Sequence, residues 1–146
     1  MYINPNLFAM KKLLILCLTL VLCASCSIDD DNTNYSFEVL AVESVDIPDA
    51  FKLGEVYPIT VSYLKPSSCH SFKEFYYLKE NNVRTVAPIT YVFDNNNCET
   101  LEENNLVESS FNFKVTSNGS YIFKFWQGED ADGEVQYLII EVPVVE

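Results

Sequence analysis

The sequence predicts an all-β antiparallel sandwich of about seven strands over residues 35–146, behind an N-terminal leader. Three observations carry this. Short runs rich in Val, Ile, Tyr and Phe recur about every ten residues, separated by Asn, Asp, Gly and Pro, the residues of turns. Several runs alternate apolar and polar side chains, the period of a strand with one buried face. No segment sustains apolar spacing of three and four residues, so helix has no signal.

The first run is Ser36 to Ile47, ended by Pro48 and Asp49. The second, Tyr57 to Leu64, sets Tyr57, Ile59, Val61 and Tyr63 against Pro58, Thr60 and Ser62. A third run, Phe72 to Leu78, precedes Glu80-Asn81-Asn82, and a fourth, Val83 to Phe93, ends in Asp94-Asn95-Asn96-Asn97; both breaks are strong turn signals. The fifth, Leu106 to Val115, puts Phe111, Phe113 and Val115 on one face. Asn118-Gly119 then offers a tight hairpin from which Tyr121 to Trp126 should return antiparallel. The last run, Glu134 to Val144, should form a hairpin with its predecessor around Gly128 to Gly133. Some 112 residues suit one domain with one core.

Ahead of this domain, Lys11 and Lys12 precede an apolar run from Leu13 to Leu22 and the small residues Ala24 and Ser25 before Cys26. A positive segment, an apolar stretch and a small-residue cleavage site make residues 1–25 a signal peptide. The apolar run is about half the ~20 residues that a membrane-spanning helix needs. Met10 stands as the natural start, which makes residues 1–9 a start-site extension. The segment Leu22-Cys23-Ala24-Ser25-Cys26 resembles a bacterial lipobox, with Cys23 where Leu is usual. The resemblance implies lipid on Cys26 and anchoring to the outer membrane, since acyl chains add about 0.8 kcal/mol per buried methylene. Residues 26–34 read as an acidic, disordered tether. Asp29-Asp30-Asp31 is similar to the surface-export signal of Bacteroidota lipoproteins, which implies display at the cell surface.

Cys17 and Cys23 leave with the signal peptide and Cys26 carries lipid, so Cys69 and Cys98 remain. In an oxidising compartment one leftover pair is expected to form a disulfide, closing a loop of about thirty residues at a gain of roughly 3 kcal/mol.

Gly119-Ser120-Tyr121-Ile122-Phe123-Lys124-Phe125-Trp126, with Gly133 and the stretch from Tyr137 to Val144, resembles the closing hairpin of Ig-like domains in small Bacteroidota lipoproteins. The run Gly54-x-x-Tyr57-x-Ile59-x-Val61 resembles the same domains. The resemblance implies an Ig-like sandwich and brings no catalytic residues with it.

Candidate chemistry is sparse. His70 is the only histidine; it follows Cys69, so on a strand the two would face opposite ways and make a poor nucleophilic pair, and His70 reads as a rim residue. One histidine excludes a zinc site of several imidazoles. The loop from Glu129 to Glu134 offers Asp130, Asp132 and Glu134 as oxygen ligands for calcium, but the twelve-residue pattern is incomplete and a solvated hairpin tip is favoured. Glu99, Glu102 and Glu103 read as a solvated loop face. Trp126, Tyr76, Tyr77 and Tyr91 could form a platform for a sugar ring. In a strand Trp126 shares a face with Ile122 and Lys124, opposite Tyr121, Phe123 and Phe125, so some aromatic surface stays outside either way.

Without Lys11 and Lys12, seven basic residues face twenty-one acidic ones, which disfavours nucleic acid as a partner and leaves membrane affinity to the lipid. The expectation is a noncatalytic interaction or structural module of the cell envelope, without cofactor, whose partner is an envelope protein; the alternative is a carbohydrate-binding module. A hydrolase ranks third, because its paired carboxylates would have to sit on acidic loops.

Overall fold

A computed structural model describes residues 34–95, 97–101 and 105–146. The expected signal peptide, Cys26 and residues 27–33 of the tether lie outside this range, as do Glu102 and Glu103.

Strands make up the fold, and it is a sandwich of largely antiparallel sheets with two short parallel pairings. Ten strands follow in order: β1 (Tyr35–Val39), β2 (Val42–Asp46), β3 (Phe51–Lys52), β4 (Val56–Leu64), β5 (His70–Glu80), β6 (Val83–Phe93), β7 (Leu106–Lys114), β8 (Tyr121–Glu129), β9 (Val135–Val142) and β10 (Val144–Val145). One sheet has five strands and the other is β2-β4-β7; β3 and β10 form a small parallel pair.

The five-stranded sheet is organised by β6. Along one edge β6 takes β5 antiparallel. Its other edge is divided: β1 pairs antiparallel with Ile89 to Phe93, and β8 pairs parallel with Val83 to Val86, with β9 beyond it. The handover falls at Pro88. That carbonyl accepts the Leu40 amide at 3.0 Å, so its missing N–H faces the same edge, where a continuous ladder would lack a donor. The chain therefore leaves the sheet at buried Leu40 and re-enters the opposite one at Val42, which pairs with Tyr63. This splits the first expected run into β1 and β2.

The expected hairpin between the fifth and sixth runs does not form. The nine residues of β7 pair antiparallel with β4, Phe111 against Ile59 and Phe113 against Tyr57, so the segment after Val115 crosses from one sheet to the other. Tyr121 pins that crossover: its hydroxyl accepts the amides of Thr116 and Ser117 at 3.0 and 2.8 Å. Gly119 serves a close approach here rather than a tight turn, because a Cβ on it would lie 2.8 Å from Asn82 Nδ2.

Two hairpins do form, one at the turn that the sequence marks after Glu80 and one where it predicts a hairpin. β5 and β6 turn at Asn81, whose φ of 53° is a left-handed conformation that asparagine tolerates. β8 and β9 close around Gly128 and Gly133, both at positive φ.

Phe51, Phe113, Tyr121, Phe123 and Phe125 fill the space between the sheets with Ile59, Val61, Val86, Val115 and Val142. Phe113 meets Tyr121 edge-on at 4.9 Å and Phe123 at 5.1 Å. Each such buried ring contributes about 2–3 kcal/mol of apolar transfer, which makes this aromatic centre the main source of stability.

Candidate functional site

Alternation along each strand and pairing between strands decide which side chains leave the core. On β8, Tyr121, Phe123 and Phe125 point inward, which turns Ile122, Lys124 and Trp126 outward. Register carries that outer face across the sheet. Trp126 pairs with Tyr137 and Lys124 with Ile139 on β9; Tyr76 pairs with Ala87 and Leu78 with Thr85 on β5; Phe37 pairs with Tyr91 and Tyr35 with Phe93 on β1. Ala87 follows Val86, the partner of Phe125, so it separates Tyr76 on one side from Trp126 on the other.

The outer face is thus unusually apolar for a surface. Phe37 is 56% exposed and Ile139 59%, and Tyr35, Val39, Tyr76, Leu78 and Tyr137 are exposed as well. At the β1 end the rings form a cluster: Tyr35 meets Tyr91 at 5.2 Å and 85°, and Phe37 at 5.5 Å and 63°, while Tyr91 stacks on Phe93 at 5.8 Å. Lys73, at the bulge of β5, sets its ammonium 4.7 Å from the Phe37 ring centre and pairs with Glu74. That contact raises the Lys73 pKa, chiefly through the hydrogen bond to Glu74.

Of the four aromatics proposed as a platform, Trp126, Tyr76 and Tyr91 share this outer face and Tyr77 does not. Tyr77 follows Tyr76 on the same strand and pairs with Val86, so it points to the inner side and meets Phe111 edge-on at 5.9 Å. Burial pushes its hydroxyl above the usual phenol range, against the opposing pull of the Arg84 guanidinium. The face also recruits Tyr35, Phe37, Phe93 and Tyr137, which single-strand reasoning missed. Tyr35-x-Phe37 and Tyr91-x-Phe93 carry the period-2 signal, but nothing local says that both pairs point away from the core.

Cys69 and Cys98 are joined as a disulfide, with Cα atoms 5.4 Å apart. It closes the open end of the β5–β6 hairpin, and the Phe93 amide donates to the Cys69 carbonyl at 3.1 Å.

His70 is buried, at 6% exposure, and not on the rim. It opens β5 opposite Val92 on the inner side, and both ring nitrogens have partners: Nε2 donates to Glu38 Oε2 at 2.7 Å, and Nδ1 lies 2.8 Å from Ser67 Oγ. The Ser67–His70–Glu38 chain has the connectivity of a nucleophilic triad but not its exposure. A triad shields its acid and opens its serine to substrate. Here the Glu38 side chain is 48% exposed, and Ser67 Oγ accepts the Cys69 amide at 3.3 Å. The arrangement braces the disulfide loop.

The loop from Glu129 to Glu134 uses its carboxylate internally. Asp130 Oδ1 accepts the amides of Asp132 and Glu134 at 3.0 and 2.9 Å, and Oδ2 accepts Gln136 Nε2 at 2.7 Å. Asp130, Asp132 and Glu134 do not converge on a cation position, and among the described residues no group of three or more His, Cys, Asp or Glu side chains does. Glu99 is exposed.

Comparison with protein families, curated proteins and solved structures gives no match. Any assignment of function therefore rests on the surface itself.

Proposed function

We propose that the protein is a noncatalytic interaction module of the cell envelope, held on the outer membrane through lipid on Cys26 and docking an envelope protein on the outer face of its five-stranded sheet. The observation that carries this reading is the ring cluster of Tyr35, Phe37, Tyr91 and Phe93, continued by Ile89, Val39, Tyr76, Trp126 and Ile139 on the same face. An apolar patch of this breadth costs solubility unless something covers it. Aromatic and aliphatic side chains mixed on a rigid sheet match the centre of a protein interface, where Tyr, Trp and Phe are enriched. At the β1 end Tyr35 packs edge-on against Tyr91, Phe37 and Phe93, which interrupts any flat floor for a sugar. The acidic triplet of the tether supports display on the cell surface.

A second reading, a carbohydrate-binding module, is favoured by one observation. Tyr76, Ala87, Trp126 and Tyr137 form a single row across four strands, with the small Ala87 between two rings. Such a strip can accept a pyranose.

The test is a photo-reactive amino acid at Tyr76 or Tyr137, on the same face, in the full chain, cross-linked in its native cells and read by mass spectrometry. One dominant envelope protein, lost when Phe37→Asp is combined with Ile139→Asp, supports the docking reading. Diffuse capture, with polysaccharide retention that Trp126→Ala abolishes, replaces it by the second.

A further inference from the structure

On the opposite side of the same sheet, a cleft of about 410 Å³ opens between the end of β5 and β7. Its walls are Phe75, Tyr77 and Phe111, with Phe75 and Tyr77 each meeting Phe111 edge-on at 5.1 and 5.9 Å. Arg84, Lys79 and Lys114 line it too, and among the described residues no acidic side chain does. Three of the seven cations of residues 34–146 thus line one cleft of a strongly acidic chain.

Arg84 is the anomaly. It is 3% exposed, and among the described residues no carboxylate pairs with it. One guanidinium nitrogen donates to the carbonyls of Asn81 and Val83 at 2.7 and 2.8 Å, and the group lies over the rings of Tyr121 and Phe113 at 5.0 and 5.8 Å. Nε is buried with no hydrogen-bond partner among the described residues. Carbonyl dipoles and ring faces offset part of the cost of burying the charge, but a buried cation is ordinarily matched by an anion. The lysines add positive potential at the cleft without neutralising it.

We infer that this cleft binds a small carboxylate carried on a ring, its carboxyl group held by Arg84, Lys79 and Lys114 and its ring packed against Tyr77 and Phe111. The volume falls in the range of small-molecule sites, and the combination of apolar walls with a few convergent charges is their usual chemistry. A bare anion would leave the aromatic walls uncovered, and a neutral ring would leave the cations unmatched. The site is independent of the outer face and stands or falls separately from the docking reading.

The experiment titrates the purified full chain with phenylacetate, with galacturonate and with the neutral phenylacetamide, following backbone amide shifts by NMR. Saturable shifts confined to Tyr77, Arg84, Phe111 and Lys114 are expected with at least one acid. The response to phenylacetate against galacturonate tells an aromatic acid from a sugar acid as the source of the carboxylate. Lys79→Gln combined with Lys114→Gln, both exposed positions, should weaken binding about tenfold or more while leaving thermal unfolding unchanged. Equal binding of phenylacetamide, unchanged affinity in the double variant, shifts elsewhere on the protein, or no saturation by either acid would each overturn the assignment.

Discussion

Glu38 and His70 meet at 2.7 Å across β6, one on β1 and the other at the start of β5, although neither strand pairs with the other. The contact ties both flanks of the central strand together beside the disulfide. Glu38→Ala leaves the buried Nε2–H of His70 without its acceptor, a loss of about 1–2 kcal/mol. Ser67→Ala removes the other partner, and the two losses should not add, since both act on one ring. Urea unfolding of the single and double variants measures this.

The Cys69–Cys98 bond closes a 29-residue separation that contains the whole β5–β6 hairpin. Cys69→Ser with Cys98→Ser should lower stability by about 3 kcal/mol through loop entropy alone. The loss should appear as a lower midpoint in denaturant, and a reductant should reproduce it in the parent protein. A midpoint insensitive to reductant would count against the pairing.

Tyr121 is fully buried, and its hydroxyl accepts two amides at the crossover between sheets. Burial alone would push the hydroxyl up; the hydrogen bonds from Thr116 and Ser117, with Arg84 beside them, hold it below the usual phenol range. Tyr121→Phe keeps the ring and strands both amides, at a cost of about 2 kcal/mol. Amide exchange should speed up at Thr116 and Ser117 and leave the β4–β7 ladder unchanged.

The sandwich class, the turn between β5 and β6, the β8–β9 hairpin and the disulfide were all legible, because each rests on local signals: period 2, turn residues, and one leftover cysteine pair. What was not legible depends on pairing partners. Asn118-Gly119 looks like a hairpin turn until β4 is seen to match β7 along nine residues. Ser36 to Ile47 reads as one strand because the reason for its break, Pro88, lies some fifty residues away. His70 was misplaced because Glu38, which makes its burial tolerable, sits on another strand. The aromatic face was half legible: alternation on β8 separates Trp126 from Tyr121, Phe123 and Phe125 without saying which side is inward, and only register adds Phe37 and Tyr137 to the outer face.

Gly119 offers a finer check on the crossover. A methyl group there would meet Asn82 Nδ2, which donates to the Ser120 carbonyl at 3.0 Å. Gly119→Ala should displace that amide and cost about 1 kcal/mol, the value of one hydrogen bond. Asn82→Ala removes the obstacle, so Gly119→Ala should cost less in that background. A double-mutant cycle reads the difference.

Removing apolar surface from the outer face should separate folding from recognition. Phe37 and Ile139 are more than half exposed and lie outside the ring-packed core, so Phe37→Asp and Ile139→Asp forfeit little transfer energy. Each should change stability by less than about 1 kcal/mol, as surface substitutions do. Solubility should rise, because both changes break a continuous apolar patch and add negative charge. If the face is a docking surface, the same two variants lose the cross-linked partner with unfolding midpoints near the parent's. A large drop in stability would place these side chains within the fold's own packing and remove them from the interface.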